Sequence, residues 1–184
     1  SSFSAAYTVN TMMYFLDFDR TLFDTDAFKI YLANRDNNPR ITGEPEEDVA
    51  ASLNELARSG QITFAPGELT QFVYADVAEF LRMLGNEAII ITFGNEALQK
   101  LKVENALSHI VRVTALYTGD TLKGDFLKEW PGYYGQEAVY ADDRIHELEV
   151  MTAAFPNMKV HEMRRDGKEG DGRWPVVRSL AELP

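Results

Sequence analysis

Five short apolar runs, each bounded by turn or polar residues, punctuate the chain at residues 12–16, 88–91, 110–113, 138–141 and 158–163. Most are continuous rather than alternating, the pattern of strands covered on both faces of a mainly parallel sheet. Helical periods lie between them. Val77, Phe80, Leu81 and Leu84 recur at spacings of three and four, and Asp76 with Glu79 forms an Asp-x-x-Glu start resembling a capping box. Ile145, Leu148, Met151 and Phe155 repeat the period after the fourth run, and Leu98 with Leu101 opens another after the second. Alternation of strand and helix predicts a doubly wound α/β fold with a Rossmann-like, mainly parallel sheet of five strands.

One interval is too long for a single crossover. About 60 residues separate Asp24 from the run at Ala88. Within it Val49, Leu53, Leu56 and Ala57 mark one side of a helix, preceded by the breakers Asn37-Asn38-Pro39 and Gly43-Glu44-Pro45 and followed by Gly60. A second breaker, Ala65-Pro66-Gly67, precedes Leu69, Phe72 and Val73. Residues 25–73 are therefore expected to form a small helical insertion over the carboxyl end of the first strand, with 12–24 and 74–184 as the α/β core. Residues 1–11 read as a loose leader, and no internal repeat is present.

Composition narrows the chemistry. Across 184 residues, 18 Lys+Arg stand against 29 Asp+Glu, a formal net charge of −11. Such a chain repels phosphate backbones at long range, which disfavours nucleic-acid binding. With 45% hydrophobic residues there is ample material for a core. The absence of cysteine removes disulfides, thiolate metal sites and cysteine nucleophiles together. The aliphatic stretch Ala88-Ile89-Ile90-Ile91 falls far short of the roughly 18 residues of a membrane span, and the start lacks the basic and apolar regions of a signal peptide. No membrane association and an intracellular, cytoplasmic location are expected.

The first strand runs into Asp17-Phe18-Asp19-Arg20-Thr21. Alternation along an extended backbone sends Asp17 and Asp19 the same way, and ligands of open α/β sheets bind beyond the carboxyl ends of strands. Alone, the pair could equally be two loop acids capping a turn. The second strand, however, ends Thr92-Phe93-Gly94-Asn95, with Asn95 a helix cap, and the fourth ends in Asp142-Asp143. Lys123 lies 19 residues before Asp142 and begins a predicted helix over 124–130. Four acids, a hydroxyl and an ammonium on one rim cost stability and look like a magnesium and phosphate site.

Asp-x-Asp-x-Thr after the first strand, Thr after the second, Lys before the fourth and Asp-Asp after it: this order resembles the haloacid dehalogenase superfamily. The resemblance extends from about residue 12 to the C-terminal Ser179-Leu180-Ala181-Glu182-Leu183. It implies strand order 5-4-1-2-3 and a helical cap after strand one. Carried over by position, Asp17 is the nucleophile forming an aspartyl-phosphate, and Asp19 the general acid/base. Thr92 holds phosphoryl oxygens, and Lys123 neutralises them and orients Asp17. Mg2+ is held by Asp17, the backbone carbonyl of Asp19 and Asp143, which aligns best with the family's main acidic metal ligand, with Asp142 beside it as second ligand or water holder. Thr21, Arg20, Gly94 and Asn95 become candidate substrate contacts. Arg20 stands where the family often has Gly; it is either a contact to substrate or cap, or a solvated turn residue. An acid in the role given to Asp19 has to carry a proton when the leaving oxygen departs, so its surroundings are expected to favour the neutral form. A second Asp in the motif resembles phosphatases rather than halide-removing members. The expected activity is phosphatase action on a small phosphorylated metabolite, with phosphomutase or phosphotransferase chemistry, or a receiver-like phospho-acceptor module, as alternatives.

Other features are set aside. Lys100 and Lys102 compete with Lys123 but lie inside the helix after strand two, on an expected solvated stretch. Gly119 and Gly124 have P-loop spacing without the following Lys-Ser/Thr. Residues 164–173 read as a solvated loop or hairpin. His109, His146 and His161 lack metal-ligand spacing, and Tyr133 and Tyr134 are expected to pack the connection before strand four.

Overall fold

The computed structural model describes residues 12–36 and 46–184. The leader and the breakers at 37–39 and 43–45 lie outside the described residues. Strands β1 (Met13–Leu16), β2 (Ala88–Thr92), β3 (Thr114–Tyr117), β4 (Ala138–Asp142), β5 (Lys159–Met163) and β6 (Val176–Val177) form one sheet in the order β3-β2-β1-β4-β5-β6. Every pairing is parallel. The first five strands follow the order 5-4-1-2-3 that the resemblance implies, and β6 adds a sixth at the β5 edge.

The apolar runs are explained by burial on both sides. Successive residues of β1 face opposite layers, Tyr14 and Leu16 one, Phe15 the other. Helices α3 (Val77–Leu84) and α4 (Glu96–Leu107) cover the first layer through Leu81, Val103 and Leu107. Helices α5 (Lys123–Glu129) and α6 (Ile145–Ala154) cover the second through Leu127, Leu148 and Met151. No helix among the described residues is long and apolar enough to cross a membrane.

One sequence expectation shifts, and one pair of alternatives is resolved. The third strand lies at Thr114–Tyr117 rather than 110–113, because the amides of Ile110 and Val111 close the end of α4 on the Leu107 carbonyl. The extended residues that follow form a half-covered edge strand without a strong apolar run. The polar stretch 164–173 is a loop, not a hairpin, since β6 beyond it runs parallel to β5.

Between β1 and α3 lie α1 (Thr25–Arg35), α2 (Glu46–Arg58) and a 3-10 turn (Glu68–Phe72). Phe28, Leu32, Val49, Leu53, Leu69 and Phe72 from this segment share one apolar cluster with α4. Polar contacts fix it there: Leu69 N donates to Asn105 Oδ1 at 2.8 Å, and Thr70 Oγ1 to the Ala106 carbonyl at 3.0 Å. The two chain crossings are joined to each other, Asp24 N donating to the Phe72 carbonyl at 2.8 Å and Tyr74 N to the Leu22 carbonyl at 3.1 Å.

Candidate active site

Asp17 follows β1 and Asp142 ends β4, adjacent strands whose register continues past the sheet: Asp17 N donates to the Ala141 carbonyl at 3.0 Å. Parallel pairing thus sets the two carboxylates side by side at the carboxyl edge. Lys123 is brought to them by the helix pair α5/α6. A Cβ at Gly124 would stand 2.9 Å from the Val150 carbonyl, so a side chain there would force these helices apart. The Lys123 amide is held by Glu147 Oε2 at 2.9 Å.

The Lys123 ammonium is fully buried and bonds both Asp17 Oδ1 and Asp142 Oδ2, the latter at 2.6 Å. Tyr140 OH donates to the same Asp142 oxygen, and Arg144 N to Asp142 Oδ1 at 2.8 Å. Ligand atoms of Asp17, Asp142 and Asp143 lie within 4.8 Å of one another. Asp17 Oδ2 is buried and meets no hydrogen-bond donor among the described residues. Burial, reinforced by Asp142, raises the Asp17 carboxyl well above its usual range despite Lys123, and the same causes raise Asp143 to about 7. Three oxygen-bearing acids crowded together, one with an orphaned buried oxygen, are a donor set that fits a hard divalent cation such as magnesium.

The expected rim residues divide. Asp17, Lys123, Asp142 and Asp143 converge. The carboxylate of Asp19 is not in that trio; it turns to α4 and α1. Lys102 Nζ meets its oxygens at 2.5 and 2.7 Å, Thr25 Oγ1 donates at 2.6 Å and Gln99 Nε2 at 3.0 Å. Burial alone would raise its pKa, but the Lys102 charge and these donors outweigh it and bring it to about 2. This corrects the expectation of surroundings that favour neutral Asp19. It also corrects the reading of Lys102 as solvated: its side chain is 4% exposed, whereas Lys100 is an outward cation facing Glu104 at 4.0 Å. Thr92 is buried, its hydroxyl directed to Gln99 Oε1 at 3.1 Å.

The proposed substrate contacts are also uneven. Thr21 is buried, and its hydroxyl has no partner among the described residues. Asn95 caps α4, accepting from Leu98 N at 3.1 Å, as expected. Gly94 borders a cleft of about 460 Å³ between the inserted segment and α4, together with Asp19, Phe28, Leu53, Lys102 and Arg144. Arg20 borders this cleft and a second one of about 500 Å³ that includes Asp143. It has φ +59°, a left-handed conformation that explains why Gly would suit the position, and forms a bidentate pair with Asp26. Tyr133 packs on Phe15 and Phe155 as expected, while Tyr134 is exposed.

No family model matches the chain, and no curated protein sequence does. Solved structures do. A haloacid dehalogenase-like hydrolase of Burkholderia xenovorans LB400 superposes with a TM-score of 0.68 at 18% identity, over 94% of this chain and 97% of that one. The HAD hydrolase YfnB of Bacillus subtilis, solved bound to magnesium, gives 0.61 at 14%, over 94% and 96%. A dehalogenase solved as an intermediate complex gives 0.63 at 14%, over 95% and 96%. With near-complete coverage of both chains at these TM-scores, this chain has the fold of the haloacid dehalogenase-like hydrolases.

Proposed function

We propose that the chain is a magnesium-dependent phosphatase that hydrolyses a small phosphorylated metabolite through an aspartyl-phosphate on Asp17. The observation that carries this reading is the convergence of Asp17, Asp142 and Asp143 around an unpartnered buried oxygen, with the Lys123 ammonium on the other Asp17 oxygen. Magnesium, when bound by the three acids, supplies the positive charge that lets an anionic carboxylate approach an anionic phosphate.

The protein's own groups do the remaining work. Lys123, fixed by Glu147 and Asp142, holds Asp17 with one face toward the substrate and neutralises phosphoryl charge as it develops. Asp17 attacks phosphorus and the bond to the leaving oxygen breaks, that oxygen departing with the proton of a substrate phosphate monoanion, because Asp19, ionised beside Lys102, has none to give at this stage. Asp19 then takes a proton from water as the water attacks the phosphorus of the aspartyl-phosphate, returning Asp17. The ionised form in which Lys102 keeps Asp19 is the one ready for this second half. Thr92 turns from Gln99 to donate to a phosphoryl oxygen. Helices α1 and α2 border the cleft, with Phe28 and Leu53 supplying an apolar wall that selects the substrate.

The test is phosphate release from an aryl phosphate with and without magnesium. Wild type should turn over repeatedly only with magnesium, and Asp17→Asn should lose about four orders of magnitude in kcat. Equal rates for the two chains would remove Asp17 from the chemistry. A stoichiometric, long-lived phosphorylated Asp17 would instead make the chain a phospho-acceptor switch.

A further inference from the structure

Lysine is seldom fully buried without a partner, yet Lys102 lies inward on α4, its ammonium 5.7 and 5.9 Å from the ring centres of Phe18 and Phe23. It spans both oxygens of Asp19. One turn earlier on the same helix, buried Gln99 donates its amide N–H to Asp19 Oδ2 and accepts the Thr92 hydroxyl on Oε1. The amide has only one workable orientation, because reversing it would set its oxygen against a carboxylate. Asp19 therefore orients Gln99, and Gln99 orients Thr92. Lys102, Asp19, Gln99 and Thr92 form one polar chain linking α4 to the ends of β1 and β2. Thr25, first residue of α1, ties the inserted segment to the same carboxylate.

An apolar pair of similar volume would stabilise this spot as well as an ion pair does, so stability alone gives weak reason for it. Resting on the phosphatase reading above, we propose that Lys102 and Gln99 are positioning residues that fix Asp19 relative to the phosphoryl group. They act through Asp19 and touch neither substrate nor leaving group. The prediction is an effect on kcat that is lost when Asp19 is lost, with little effect on KM.

The experiment is a double-mutant cycle in magnesium-dependent aryl phosphate hydrolysis, with melting temperatures recorded for every chain. Lys102→Met should lower kcat about 100-fold, the scale of a misplaced catalytic group, and change KM less than about 3-fold. Placed on Asp19→Asn, the same substitution should cost less than about 2-fold more, since the two act as a unit. Lys102→Arg keeps the charge but not its placement; it should melt near wild type and still lose about 10-fold in kcat. This variant carries the test if Lys102→Met does not fold. Losses that multiply in the double mutant, a KM effect alone, or full activity in Lys102→Arg would each overturn the positioning role while leaving the phosphatase reading intact. A wild-type chain without magnesium-dependent release would overturn both.

Discussion

Two buried lysines meet aspartates beside β1, and the two nests are built to opposite ends. Around Lys123, one ammonium faces the Asp17 and Asp142 carboxylates, with Asp143 beside them and an oxygen of Asp17 left without a donor among the described residues. Around Lys102, one ammonium covers both oxygens of a single carboxylate, and Thr25 and Gln99 complete it. The consequence is that Asp17 and Asp19, two residues apart, are pushed in opposite directions, Asp17 upward by burial and its neighbouring acid, Asp19 down to about 2 by its donors. An open, over-acidic nest calls for an outside cation; a closed, neutral one holds a side chain in place. Both lysines are buried, so their burial alone distinguishes nothing.

The largest test of the contrast is to empty the open nest of its cation. Lys123→Met should cost about 3–5 kcal/mol in denaturant unfolding without metal, the scale for leaving buried charge uncompensated. Magnesium should restore part of it. A ligand that binds only the folded chain adds about 3 kcal/mol at a hundredfold excess over its dissociation constant. A Lys123→Met chain as stable as wild type, or a wild-type melting curve that magnesium does not move, would erase the difference between the two nests.

The open nest was legible because its members sit where continuous apolar runs end: β1 before Asp17 and β4 up to Asp142. Parallel pairing makes strand ends neighbours in space whatever their distance in sequence. The closed nest was hidden by its helix. Leu98, Gln99, Lys102, Val103, Ala106 and Leu107 form the buried stripe of α4, a regular two-on, two-off spacing with two polar members. Treating Lys102 as solvated by residue type overlooked that position, and the spacing is the signal that would have found it. Strand β3 was misplaced because an edge strand needs little apolar covering, and β6 passed unseen because two residues carry no period. The left-handed turn at Arg20 could be read only as a departure from the family's Gly; the backbone angle supplies the reason.

A third carboxylate, far from the chemistry, offers a calibration of the closed kind. Glu68 accepts from Tyr31 OH at 2.7 Å, Ala65 N at 2.6 Å and Arg35 Nη1 at 3.1 Å, joining α1 to the 3-10 turn. Burial would raise its pKa, but these donors hold it below the ordinary 4.5. The folded chain thus binds this proton less readily than the unfolded one. The stabilisation is complete above 4.5 and is lost as pH falls through the lower folded value. Glu68→Gln should therefore cost about 1.5 kcal/mol at neutral pH, with the gap to wild type closing as acid is added. A gap that stays constant down to acid unfolding would show that the charge of Glu68 contributes nothing and that its bonds act as neutral ones.

The smallest effect concerns the loop that separates the two nests. Arg20 holds φ +59° between Asp19 and Thr21, its amide bonded to the Phe23 carbonyl at 2.8 Å and its guanidinium to Asp26 at 2.9 Å. That ion pair is largely exposed and worth little, so what keeps the turn left-handed is the loop itself, and a Cβ there carries a standing cost. Comparing Arg20→Gly with Arg20→Ala isolates that cost, because both remove the same side-chain contacts and differ only in Cβ. Gly should be the more stable by about 1 kcal/mol, the left-handed penalty less the chain entropy that glycine gives up on folding. Should Ala equal or exceed Gly in thermal unfolding, the left-handed angle at position 20 carries no Cβ cost and the loop holds it without strain.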